Sequence, residues 1–216
     1  KQNDNNINFK NANSYSSLSE HGMSAYSRGN MSGNPAASQH SSISKISTFQ
    51  LSENTCIKVY KCSIVEVMDV DAIACAIDTD FDVERRVVAK AIRKAGGTGY
   101  EEEFKKMISK VSSDSRKEVF ICKAGNLYRS RRIKYVIHIK LPRIFEDMEI
   151  LKHRYIQVFE HARQEKMEKI ALPLIGAANL ANASEDDKYQ CSCLFAKTLK
   201  EVVESRGKDM NVKEIQ

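Results

Sequence analysis

The stretch "ALPLIGAANLANASED", residues 171–186, decides how this chain is read. An apolar, strand-like run ends at Ile175 and a helix pattern begins after Ser184, so Gly176-Ala177-Ala178-Asn179-Leu180-Ala181 forms the turn between them. In a nucleotide-binding fold such a turn brings backbone N–H groups close to phosphate, and glycine serves there because it lacks a Cβ and accepts positive φ. Here alanine stands at 177, 178 and 181. Whether the loop still holds a ligand depends on the segments around it.

On the C-terminal side, Ser184 and Asp187 resemble a capping box with a shortened acid. Cys191, Leu194, Phe195, Leu199 and Val202 line one face of the helix that follows, and "NVKEIQ" (211–216) opens a last strand. On the N-terminal side, strands and helices alternate. "IKVYKCSIVEV" (57–67) reads as one or two strands and "DAIACAI" (71–77) as a buried strand. "VVAKAIRKAG" (87–96) and "EEEFKKMISK" (101–110) read as two helices, the second with Glu101–Lys105 and Glu102–Lys106 at i,i+4 spacing. "EVFIC" (118–122) and "KYVIHI" (134–139) are further strands, and Met148, Leu151, Tyr155, Val158, Phe159 and Ala162 share one face of a long helix. Continuous apolar strands alternating with helices imply an α/β sandwich whose sheet is covered on both faces.

Residues 1–52 have a different texture, Asn- and Ser-rich without sustained periodicity. Such a tract buries too little apolar surface to offset its ordering entropy and reads as a disordered linker or tail, leaving 53–216 as the folded domain. Its many hydroxyls also suit a phosphorylated regulatory tail, a narrower reading than a plain linker. The 216 residues are 42% hydrophobic and carry a formal charge of +6, which permits an anionic partner without requiring one. No apolar run reaches the length of a membrane span, and no basic start followed by an apolar stretch marks an export signal, so the nucleus or cytoplasm is the expected compartment. The six cysteines, Cys56, Cys62, Cys75, Cys122, Cys191 and Cys193, contain no CxxC pair and read as reduced and structural; the five histidines show no metal-ligand spacing. No metal and no cofactor are expected.

Four segments in order, "IKVYKCSIVEVMDVDAIACAID", "VVAKAIRKAGG", "EVFICKAGNLYRSRRIKYVIHIKLP" and "KIALPLIGAANLANASED", together resemble a macro domain, the module that binds ADP-ribose. The match runs from about residue 55 to the C-terminus and is similar to the macro domains of large macro-containing ADP-ribosyltransferases. The resemblance implies a three-layer α/β/α sandwich with a mixed central sheet of about six strands and a cleft at the C-terminal strand ends. It also implies ADP-ribose or ADP-ribosylated protein as the partner, with other domains of a longer chain as further partners.

The departures from the family pattern bear on every implied site residue. Family members end an early strand in GDIT, whose aspartate accepts a hydrogen bond from the adenine amino group. This chain has Cys62-Ser63-Ile64-Val65, leaving Ser63 as an uncharged acceptor beside Ile64. The family's NAAN becomes Cys75-Ala76-Ile77-Asp78, putting a carboxylate at Asp78 where an asparagine contacts the distal ribose. A carboxylate near a diphosphate costs about 1 kcal/mol or more once partly desolvated. The glycine run that follows is replaced by Val83-Glu84-Arg85-Arg86-Val87. Two readings of Arg85 and Arg86 stay open: side-chain phosphate donors in place of backbone N–H groups, or solvated charges at a helix start. The second phosphate loop, "IGTGN" in relatives, is Gly176-Ala177-Ala178-Asn179, followed by Leu180.

Hydrolytic relatives place an acid near Val88, which carries no proton, so the resemblance implies no catalytic residue. Cys75 with His138 is the one conceivable nucleophile pair. The expected function is therefore non-catalytic recognition of ADP-ribose with weakened binding, the alternatives being a ligand-silent scaffold for protein contacts and, less favoured, an ADP-ribosyl hydrolase. A basic cluster, Arg129, Arg131, Arg132 and Lys134, with Tyr128 and Tyr135 nearby, admits nucleic acid as a further partner, against the plainer reading of an exposed connection before a strand.

Overall fold

The strand β3 (Ala72–Ile77) lies at the centre of the molecule, and its alternation explains the layering. Ile73, Cys75 and Ile77 enter one core cluster while Ala72 and Ala74 enter the other, so both faces of the strand are buried and every position is apolar. The computed structural model describes residues 43–111, 118–141, 148–173, 175, 184–206 and 211–216, all within one compact unit, His40–Gln216.

The elements in chain order are β1 (Ser44–Gln50), β2 (Cys56–Lys61), a short 3-10 turn (Ile64–Glu66), β3, α1 (Val87–Val111), β4 (Val119–Lys123), α2 (Asn126–Arg131), β5 (Tyr135–Lys140), α3 (Met148–Gln164), β6 (Lys169–Ala171), α4 (Glu185–Arg206) and β7 (Glu214–Ile215). The strands form one mixed sheet of seven in the order β1-β2-β7-β6-β3-β5-β4. Pairing is antiparallel between β1 and β2 and between β4 and β5, and parallel at the four junctions between them. On one face α1 and α2 cover Ile73, Cys75, Phe120, Cys122 and Val136; on the other α3 and α4 cover Ala72, Ala74, Ile137, Ile139 and Ile170. This is the expected three-layer sandwich.

The sheet begins earlier than expected. β1 lies inside the tract read as linker through residue 52, so the folded unit starts before the expected boundary at 53. Its sequence, SKISTFQ, is exposed at nearly every position, and antiparallel pairing with β2 from Ser44↔Lys61 to Gln50↔Cys56 is what holds it. Residues 1–42 lie outside the described residues.

Two other elements differ from expectation. After β2 the chain leaves the sheet at Cys62, and Ile64–Glu66 curl into a 3-10 turn whose Ile64 and Val65 pack on the α1-side core, so 57–67 is one strand and a turn. The two helices expected at 87–96 and 101–110 are joined across a kink at Gly97 (φ 62, ψ −159). Among the described residues neither Glu101–Lys105 nor Glu102–Lys106 forms an ion pair: Glu101 takes Arg93 and Lys106 takes Glu103.

Candidate functional site

Ser63, Asp78 and the start of α1 all lie at one end of the molecule, because β2 and β3 run in the same direction and end there. Open α/β sheets bind ligands beyond the carboxyl ends of their strands. Ser63 is exposed and opens the 3-10 turn, where its backbone N–H donates to Oε2 of Glu66 at 3.2 Å. Ile64 is half-buried against the core.

Asp78 follows β3 directly and is 3% exposed. Nε of Arg86 donates to its Oδ1 at 2.7 Å, and Nη2 of the same guanidinium lies 2.7 Å from that oxygen. The Arg86 side chain is 14% exposed. Arg86 is not a solvated charge: it is an enclosed partner of the carboxylate at the end of β3. Burying either charge alone would be costly, and the pair is stable because each neutralises the other.

Arg85 behaves differently. Its Nη1 lies 2.7 Å from Oδ2 of Asp80 and its Nε 2.8 Å from Oδ2 of Asp82, on an exposed surface. The same two aspartates also turn the backbone: Oδ1 of Asp80 accepts from the N–H of Asp82 at 3.2 Å, and Oδ1 of Asp82 from that of Glu84 at 2.8 Å. Glu84 in turn meets Lys90 and Arg93 of α1. The segment replacing the glycine run is thus pinned by alternating charges. The spacing was visible in "TDFDVERR", but which cation meets which carboxylate was not.

Val83 contributes to the α1-side core, Val88 packs against it and Val87 is 80% exposed. Phe81 adopts φ 63, unusual for an aromatic residue, while its N–H donates to the carbonyl of Asp78 at 3.0 Å. Its ring packs 5.7 Å from that of Phe120, and Nζ of Lys140, the last residue of β5, stands 5.2 Å from its centroid. Phe81 and Lys140 were not among the expected site residues.

Cys75 sits deeper than a ligand contact. It is buried, with Sγ 3.4 Å from Nδ1 of His138 on the neighbouring strand β5. On the other side of the imidazole, Nε2 lies 3.4 Å from Sγ of Cys122 and 3.5 Å from Oη of Tyr100. The pair conceived as nucleophile and base therefore does meet. Burial, however, pushes the Cys75 thiol well above its ordinary value, pushes Cys122 up to about 12 and drives His138 down to about 3. Neutral thiols on a neutral imidazole are the opposite of an activated cysteine. The cluster serves the core.

Gly176, Ala177, Ala178, Asn179 and Leu180 lie outside the described residues; Ile175, immediately before them, is buried. Among the described residues no group of three His, Cys, Asp or Glu side chains is placed to hold a metal, and no helix is long and apolar enough to cross a membrane.

Comparison with curated protein sequences finds no match. Among solved structures the fold is similar to the Oceanobacillus iheyensis macrodomain with MES bound (TM-score 0.64, 14% identity, 80% of this chain and 88% of that one). It is also similar to the same macrodomain with ADP (0.61, 15%, covering 81% and 88%). A third likeness is to the Trypanosoma brucei macrodomain in complex with ADP-ribose (0.53, 14%, covering 74% and 62%). Residues 75–186, more than half of the chain, match the Macro domain family model, and the chain belongs to that family.

Proposed function

We propose that this macro domain is a non-catalytic module that recognises ADP-ribose or ADP-ribosylated protein with weakened affinity. The observation that carries the reading is the Asp78–Arg86 pair at the end of β3. A lone carboxylate there would repel a diphosphate, whereas a carboxylate held by a guanidinium presents no net charge and still offers acceptor oxygens to ribose hydroxyls. Family membership and the ADP- and ADP-ribose-bound macrodomains of the same fold support this ligand class. Weakening follows from bulk: Phe81 and Val83 occupy loop positions where glycine would allow close backbone approach.

Calorimetry with ADP-ribose tests the proposal. The expected dissociation constant falls between about 1 and 100 µM, roughly −8 to −5.5 kcal/mol; absence of heat up to millimolar ligand would refute recognition. Incubation with ADP-ribosylated protein is expected to release no ADP-ribose, and release abolished by Asp78→Ala would overturn the non-catalytic part.

A second reading, a ligand-silent scaffold for protein contacts, is favoured by one observation. Arg85 ties Asp80 and Asp82 together, and Glu84 is tied to α1, so the loop is already satisfied without a ligand. Silent calorimetry with an unchanged fold is the outcome this reading expects.

A further inference from the structure

At the opposite end of the sheet from Asp78, the chain gathers positive charge. Lys123 ends β4, and Arg129 and Arg131 lie on α2. Arg132 and Lys134 lead into β5, whose Tyr135 is in register with both Lys123 and Ala72. Two carboxylates pair directly with these five cations, Asp69 at 3.6 Å from Nη1 of Arg132 and Asp71 accepting from Nζ of Lys134 at 2.8 Å, and a third, Glu103, which pairs with Lys106, lies near enough to Lys123 for their charges to attract. Asp71 is further engaged by the backbone N–H groups of Glu168 and Lys169. The side chains of Lys123, Arg129 and Arg131 have no ion-pair or hydrogen-bond partner among the described residues. Arg132 is 82% exposed, and Tyr128, on the same short helix as Arg129 and Arg131, is 58% exposed.

We propose that this face, formed by α2 and the ends of β4 and β5, is a binding surface for single-stranded nucleic acid. The cations supply phosphate contacts, and an exposed tyrosine beside them supplies a stacking platform that any base can use. Duplex reading is disfavoured by shape. α2 has six residues, is about 9 Å long and is fixed to the core by Leu127, so it cannot project into a major groove. The surface is also separate from the cleft: the six residues of β3 set them roughly 20 Å apart. This inference therefore does not rest on ADP-ribose recognition, and both ligands can be held at once.

Fluorescence anisotropy of the full chain with a labelled oligouridylate of about twelve nucleotides tests it. Saturable binding is expected at 50 mM salt, weakening about twenty-fold at 200 mM if three phosphates are neutralised. Arg129→Glu/Arg131→Glu is expected to weaken binding more than tenfold, and Tyr128→Ala about tenfold, with Tyr128→Phe retaining it. Saturating ADP-ribose should not displace the oligonucleotide. Unchanged circular dichroism and thermal midpoints would show that the variants are folded. No saturable binding at 50 mM salt, or indifference to the double charge reversal, overturns the proposal. Equal competition by an oligoglutamate together with indifference to Tyr128→Ala also overturns it, in favour of an acidic protein partner.

Discussion

Nε and Nη2 of Arg86 converge on a single oxygen, Oδ1 of Asp78, each at 2.7 Å, and the two residues connect the end of β3 to the start of α1. That contact closes the loop between β3 and α1. Both side chains are largely enclosed, so the pair is a structural element as well as a candidate ligand contact.

Removing one partner is therefore expected to cost more than removing both. Arg86→Ala leaves the buried carboxylate without its guanidinium and should destabilise the domain by about 2–4 kcal/mol, lowering the thermal midpoint by about 5–10 °C. Adding Asp78→Asn should recover part of the loss. A double-mutant cycle by urea denaturation is expected to give a coupling energy of at least about 1.5 kcal/mol; additive effects would show that the pair is not coupled.

Gly125 precedes α2 with φ 59, and a Cβ there would sit 2.5 Å from the carbonyl oxygen of Gly96 and 2.9 Å from Cβ of Tyr100. Neither neighbour is free to move: one is backbone at the kink of α1 and the other belongs to a fully buried side chain. Gly125→Ala is expected to cost more than about 3 kcal/mol, through positive φ and overpacking together. Denaturation midpoints within 1 kcal/mol of the wild type would mean that α1 and α2 separate easily.

How much of this was legible in the sequence varied with the range of the interaction. β3, β5, α3 and the layering could be read because continuous apolar runs and 3.6-residue periodicity are local signals. β1 could not, since SKISTFQ has no buried face and owes its place to pairing with β2. Asp78 was identified by its place in a family motif, but its bond to Arg86 needed the intervening turn, with Phe81 at positive φ, to be known first. Cys75 and His138 are 63 positions apart and meet because β3 and β5 are parallel neighbours, a fact of topology rather than of motif.

The core histidine predicts a pH dependence. His138 is fully buried and neutral, its value driven from an ordinary 6.5 down to about 3 by loss of solvation. Between those values the unfolded chain binds a proton that the folded chain refuses, so stability falls as pH falls from 6.5 towards 3. From pH 6.5 to 5 the loss from this one group is about 2 kcal/mol. His138→Gln should remove that portion of the slope, read as the difference between urea midpoints at pH 7 and pH 5. An identical slope in both proteins would mean that the imidazole is protonated in the native state.

Phe81 combines an unfavourable backbone angle with favourable packing, and two substitutions separate them. Phe81→Gly relieves positive φ, worth about 1 kcal/mol, but loses the contact with Phe120 and the cation–π contact with Lys140, so it should destabilise by about 1 kcal/mol overall. Phe81→Ala loses the same contacts and keeps the angle. It should therefore be the less stable of the two by about 1 kcal/mol, the reverse of the order seen where φ is negative. If the bulk of this loop is what weakens ADP-ribose binding, Phe81→Gly should also tighten it by a few-fold in calorimetry, because the backbone then gains room to approach a phosphate. Equal affinity for wild type and Phe81→Gly would locate the weakening elsewhere, and an Ala variant as stable as the Gly variant would show that the loop relaxes out of positive φ once the ring is gone.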